Sequence, residues 1–133
     1  IETNLKMYTA LSAAIHSDLV ASAHDCSDGG LAVSLAEMCI GGRLGASINL
    51  SNISKTTLFA RLYGESLARI VVAIKPENTE EFEHSMSGNI FTKIGESTTK
   101  NLLEIKDGSK KVLKLNLDEM VEAWQSTFKG GDF

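Results

Sequence analysis

The stretch Ala23-His24-Asp25-Cys26-Ser27-Asp28-Gly29-Gly30-Leu31 constrains the fold more than any other part of this chain. A short run from Ala21 to Cys26 enters Ser27-Asp28-Gly29-Gly30, and an unbroken Ala-, Leu- and Met-rich segment, Leu31 to Ile40, leaves it. The pattern predicts a strand, a tight turn and a mostly buried helix. A helix opening on such a turn aims free N–H groups and the positive end of its dipole into one small volume. Phosphate suits that volume, because glycines let the backbone approach a ligand without a Cβ in the way and Ser27 can donate a hydrogen bond. Asp28 opposes an anion there unless a cation intervenes. The plain alternative is that Ser27 or Asp28 caps the helix and the glycines only make the turn.

Around this corner the periodicities alternate. From Asn4 to Val20, apolar residues at Leu5, Tyr8, Leu11, Ala14, Ile15 and Leu19 predict a surface helix with one buried stripe. Gly41, Gly42 and Gly45 end the second helix and lead into a half-exposed strand, Ala46 to Leu50, and a brief helix near 55–62. Between Ala68 and Lys75, Ile70, Val72 and Ile74 point one way and Val71 and Ala73 the other, which predicts a central strand covered on both faces. Pro76 starts a short helix carrying Phe82 and Met86. Ile90–Gly95, Leu102–Ile105 and Val112–Leu115 read as three further strands, the last two joined at Asp107-Gly108 as a hairpin. Leu117, Met120, Val121, Trp124 and Phe128 form the stripe of a closing helix, with Asn116 and Glu119 as a capping box. The class expected is α/β (α+β), a mixed β-sheet between helical layers, partly ferredoxin-like. With 133 residues, 43% of them apolar, one domain over 1–133 is expected. The amphipathic pattern starts almost at Ile1, as in a segment of a longer protein.

Several function classes fall away. The net charge is −4 and no Lys/Arg cluster stands out, so nucleic acid is not an expected partner. No apolar run approaches the roughly 18 residues of a membrane helix, and no leader pattern opens the chain. Cys26 and Cys39 lack a CxxC spacing and read as buried reduced thiols, which suits the cytoplasm. His24, Cys26 and Asp28 share one face of a strand, but no second ligand cluster accompanies them and no metal site is expected. His16 and His84 read as solvated or locally hydrogen-bonded. Gly130-Gly131-Asp132-Phe133 is similar to a cyclase signature but has no following strand to form the hairpin such a site uses. There is no GxGxxG and no GxxxxGK[ST].

A second informative piece is Gly64-Glu65-Ser66-Leu67-Ala68-Arg69, where a glycine, an acid and a hydroxyl precede an apolar strand. A carboxylate at a strand entry can accept hydrogen bonds from a ligand's N–H or O–H groups. The alternative is a Glu65–Arg69 ion pair that pins the strand start.

His24-Asp25-Cys26-Ser27-Asp28-Gly29-Gly30-Leu31-Ala32, Gly42-Arg43-Leu44-Gly45-Ala46, and Tyr63-Gly64-Glu65-Ser66 running into Arg69-Ile70-Val71-Val72 together resemble the carboxy-terminal, AIR-synthase-related domain of the phosphoribosylformylglycinamidine synthase family, synthetase subunit. The likeness extends over nearly the whole chain, through Lys75-Pro76-Glu77-Asn78, Ile94-Gly95 and Trp124. Aminoimidazole ribonucleotide synthetase, selenophosphate synthetase and thiamine monophosphate kinase share the domain type with glycine motifs that differ more.

The resemblance implies the closing domain of an enzyme of two tandem halves. That enzyme uses ATP and magnesium to activate formylglycinamide ribonucleotide, and ammonia from glutamine then gives the amidine in purine synthesis. It also implies that the nucleotide and most magnesium ligands come from other domains, so this chain alone is expected to be inactive and to hold no cofactor tightly. The implied partners are the remaining domains, a glutaminase domain or subunit, and a small accessory subunit. Asp25, Ser27, Asp28, Gly29, Gly30, Glu65, Ser66 and Arg69 are the substrate- or phosphate-binding candidates, with no catalytic residue and no metal ligand among them. Leu67 departs from the glutamine often found at its position in the first half, which implies an auxiliary half-site. The alternatives are a noncatalytic structural or auxiliary nucleotide-binding half-site module, or the same domain of another enzyme of this superfamily.

Overall fold

A computed structural model describes residues 2–53 and 56–129, the side chains of 127–129 excepted. The elements are α1 (Glu2–His16), β1 (Val20–Asp25), α2 (Gly30–Gly42), β2 (Gly45–Asn49), a 3-10 turn (Leu50–Asn52), α3 (Leu58–Tyr63), β3 (Ile70–Ile74), a second 3-10 turn (Pro76–Asn78), α4 (Thr79–Ser85), β4 (Gly95–Thr98), β5 (Leu102–Asp107), β6 (Lys110–Asn116) and α5 (Leu117–Lys129). The chain is a mixed α/β protein, and its residues divide into two compact units.

The first unit holds the residues up to Ser34 together with Tyr63–Thr92. Its sheet is a two-stranded antiparallel ribbon, β1 against β3. Leu11, Ala14, Leu19, Phe82 and Met86 form the buried cluster, with Met7, Ala10, Val20, Ile70, Val72 and Ile74 packed against it. The Phe82 ring meets Phe91 edge-on at 6.3 Å. The single stripe expected on α1 divides. Leu11 and Ala14 are buried, whereas Leu5, Tyr8 and Ile15 are 65%, 45% and 44% exposed. The side that meets α4 is narrower than the apolar arc of the sequence. α1 ends in a Schellman motif: Leu19 N–H donates to Ala14 C=O and Asp18 N–H to Ile15 C=O, with Asp18 left-handed at φ 58°. The expected central strand is β3, but all five of its residues are half-buried and β1 is its only strand partner among the described residues.

Leu35–Leu62 and the chain from Lys93 onward make the second unit. Its four strands run in the order β4-β2-β5-β6, with β2 and β5 parallel and the outer pairs antiparallel. Alternation places Ala46, Ile48, Leu103 and Ile105 on the inner face, and Leu103 and Ile105 have no exposed surface. α5 packs on β6 and the first 3-10 turn on β5. The hairpin between β5 and β6 turns through Gly108 and Ser109, with Gly108 at φ 61°. Gly45 is required by close approach, since a Cβ there would stand 2.1 Å from the Lys100 carbonyl. No glycine terminates α2: Gly42 is its last residue, and Arg43 takes the left-handed position at φ 52° while Leu44 N–H bonds Cys39 C=O. Asn116 caps α5 through Asp118 N–H, but the return bond from Glu119 that would complete the box does not form. Ile90–Ile94 is irregular rather than a strand, and pairing begins only at Gly95. Trp124 is 51% exposed. The Phe128 side chain and Gly130–Phe133 lie outside the described residues.

Arg61 forks onto Asp107, with Nη1 2.9 Å from Oδ1 and Nη2 on Oδ2, and also donates to the Leu50 carbonyl. This clasp ties α3 to the hairpin and to the first 3-10 turn. The guanidinium hydrogen bonds hold the Asp107 carboxyl below the ordinary carboxylate range, against the opposing effect of burial. Cys26 and Cys39 are buried free thiols, and burial raises the Cys39 pKa. No described helix is long and apolar enough to cross a membrane.

Candidate functional site

Antiparallel pairing of β1 and β3 sets Asp25 opposite Ile70, so the chain leaving β1 and the chain entering β3 share one end of the ribbon. The ladder continues one step further, with Cys26 N–H donating to the Arg69 carbonyl at 2.9 Å. Both segments singled out from the sequence thereby meet at one corner of the first unit.

The turn after Cys26 needs its glycines. Gly29 is at φ 79° and Gly30 at φ 65°, and a Cβ on Gly29 would lie 2.4 Å from Val33 Cγ2. The left-handed backbone turns the Gly29 N–H toward the second segment, where it donates to Glu65 Oε1 at 2.9 Å. Glu65 therefore occupies an amide at the helix N-terminus that the sequence reading reserved for a ligand. Its carboxylate is engaged there rather than by Arg69, so the alternative of a Glu65–Arg69 ion pair is not what forms. Arg69 instead folds back, its Nη1 donating to the Gly64 carbonyl at 2.9 Å, which closes the loop that presents Glu65. Ala68 stands at φ 63° in that loop, a left-handed conformation that L-residues adopt at a cost of roughly 1–2 kcal/mol.

Asp25, Ser27, Asp28, Glu65 and Ser66 are exposed, Gly29 and Arg69 half-buried, and Gly30 buried. The corner is thus an open surface with three carboxylates, two hydroxyls and one guanidinium. His24 Nδ1 lies 2.7 Å from the Asp25 carbonyl, and since a carbonyl only accepts, that nitrogen carries the proton. Cys26 is 3% exposed. Among the described residues no three His, Cys, Asp or Glu side chains gather closely enough to hold a metal ion. Among the described residues, open cavities lie elsewhere. One of about 530 Å³ runs beside α1 and includes Leu5, Lys6 and Asn89, and one of about 410 Å³ runs along β2 and β4.

Ser34 was missed from the sequence. It is 1% exposed, and its hydroxyl lies 2.9 Å from both the Asp25 and Gly30 carbonyls, tying the first turn of α2 to the end of β1. The available signal was a lone hydroxyl within the apolar run Leu31-Ala32-Val33-Ser34-Leu35. A hydroxyl in such a run needs a partner once buried.

Known proteins match this chain in family and in fold. The family model described as AIR synthase related protein, C-terminal domain, matches residues 2–122. The fold resembles that of Thermotoga maritima PurL solved in complex with FGAR, with a TM-score of 0.78, 18% identity, and coverage of 89% of this chain and 21% of that one. The same protein complexed with ATP gives a TM-score of 0.75 at 18% identity, covering 87% of this chain and 21% of that one. Phosphoribosylformylglycinamidine synthase II from Thermotoga maritima gives 0.76 at 18% identity, with 89% and 21% covered. The chain spans about a fifth of the length of these proteins.

Proposed function

The chain belongs to the AIR synthase related family, matching its C-terminal domain, and from that premise we propose that it serves as one domain, residues 1–133, of a phosphoribosylformylglycinamidine synthase. The reaction proposed is ATP-dependent amidation of formylglycinamide ribonucleotide with glutamine-derived ammonia, in the cytoplasm and in company with the other domains and a glutaminase. Support comes from a match over nearly the whole chain and from fold neighbours captured with ATP and with FGAR.

Within that enzyme the corner formed by Asp25, Ser27, Asp28, Gly29, Gly30, Glu65, Ser66 and Arg69 is the proposed ligand-facing surface. The Gly29–Glu65 hydrogen bond carries this reading, because it joins two segments 36 residues apart and fixes one carboxylate oxygen. Oε2 remains available to accept a hydrogen bond from a ribose hydroxyl or an amide N–H. The side chains here suit hydroxyl recognition better than a bare phosphate, since Asp25, Asp28 and Glu65 bring three carboxylates to the corner and the Gly29 amide already donates to Glu65. ATP and magnesium are assigned to the other domains, as the family resemblance implies, and this chain alone is expected to show no turnover.

In the complete synthetase, Glu65→Gln is expected to raise KM for the ribonucleotide by about tenfold, the weight of one hydrogen bond to a charged group, with kcat changed less. Unchanged KM with unchanged thermal stability would sink the ligand-facing role. One observation favours a second reading, a noncatalytic half-site: Glu65 already satisfies the helix terminus from within. Titration of the chain with formylglycinamide ribonucleotide separates the two, since a half-site scaffold does not bind it.

A further inference from the structure

Charge is divided unevenly between the two units. Of the ionisable side chains in the sequence, three basic and nine acidic fall in the first unit, a net of −6, and ten basic and eight acidic in the second, a net of +2. On the outer face of the four-stranded sheet, Lys106 of β5 stands directly opposite Lys111 of β6. Both are exposed, and neither meets a carboxylate among the described residues. Like charges facing each other across a ladder repel. A lysine on an edge strand discourages unwanted pairing, which accounts for Lys111. It does not account for Lys106, because β5 lies inside the sheet. The linear sequence showed no basic cluster because these two residues meet only through the hairpin register.

The opposite imbalance lies in the first unit. Glu77, Glu80, Glu81 and Glu83 are all exposed on the second 3-10 turn and α4, and none forms an ion pair among the described residues. Acids three and four residues apart on a helical surface repel. Glu80 and Glu81, in the first turn of α4, are compensated by the helix dipole, whereas Glu83 lies beyond that turn.

We propose that the Lys106–Lys111 face of one copy docks the Glu77–Glu83 segment of a second copy. Each surface carries a repulsion that the other relieves, and the two are of opposite sign on one chain. Such a contact joins two different patches, so it either closes reciprocally into a dimer or repeats into larger assemblies. It is independent of the ribonucleotide reading.

Sedimentation velocity on the chain at about 20 mM and about 300 mM NaCl tests this, since exposed charges lose most of their mutual attraction over that range. Self-association is expected at low salt and at least about tenfold weaker at high salt. K106E/K111E and E80K/E81K are each expected to be monomeric at low salt, and their equimolar mixture to associate like the unaltered chain. Circular dichroism confirms folding, and K106Q/K111Q replaces the reversal if that variant unfolds. A monomer at low salt, association indifferent to salt, or a mixture that stays monomeric would each overturn the proposal.

Discussion

The two units solve the same problem, burying one face of a sheet, with different margins. In the second, Leu50, Leu103 and Ile105 have no exposed surface, and the edge strand β6 carries Lys110, Lys111 and Lys114. In the first, a ribbon of two strands leaves every residue of β3 half-exposed, and the same unit presents the open Gly29–Glu65 corner. A two-stranded sheet is marginal by itself and depends on what packs against it. Here that support is the cluster of Leu11, Ala14, Leu19, Phe82 and Met86. The contrast teaches that the candidate site sits on the less deeply packed unit, where a ligand or a neighbouring element has backbone and side chains left to meet.

The sharpest way to break this contrast is to remove equivalent apolar groups from each sheet. Ile105→Ala is expected to cost about 2–5 kcal/mol in urea denaturation, and the same change at the half-buried Ile70 about 1 kcal/mol. Equal losses would mean that the burial difference carries no energetic weight. At the corner, Gly29→Ala places a methyl group against Val33 at a left-handed φ. A loss of about 1–3 kcal/mol is expected, with only part of it recovered by adding Val33→Ala, because the backbone strain remains. Full recovery would show that the side-chain clash was the whole effect.

The smallest effect concerns acid. Arg61 holds the Asp107 carboxyl below its usual value in the folded state. The clasp therefore stabilises above the ordinary carboxylate range and is lost as pH falls through the folded value. Asp107→Asn is expected to be less stable than the unaltered chain near neutrality, with the two stability curves converging as the Asp107 carboxyl becomes protonated in acid. Parallel curves down to pH 2 would remove the clasp from the account of the second unit.

Much of the fold was legible beforehand. The helix after Gly29-Gly30, the Phe82/Met86 pair, the Asp107-Gly108 hairpin and the Leu117/Met120 stripe all follow from spacing, and all form. Three expectations failed for one shared reason. Leu5, Tyr8 and Ile15 look buried, Ile70–Ile74 looks central, and Ile90–Gly95 looks extended, but each outcome depended on whether another element arrived to cover or pair it. At the site, both segments were visible as unusual strings. Their meeting was not, and neither was the choice of Gly29 over Arg69 as the partner of Glu65.

By itself the sequence determined the local states of the chain, because helix and strand periods, glycine turns and helix stops arise from backbone geometry within a few residues. Tertiary structure alone decided that β1 and β3 pair, that Glu65 closes onto an amide far along the chain, and that Lys106 faces Lys111. Those outcomes depend on strand register and on which unit each residue joins, and such contacts are selected by the packing of the whole molecule.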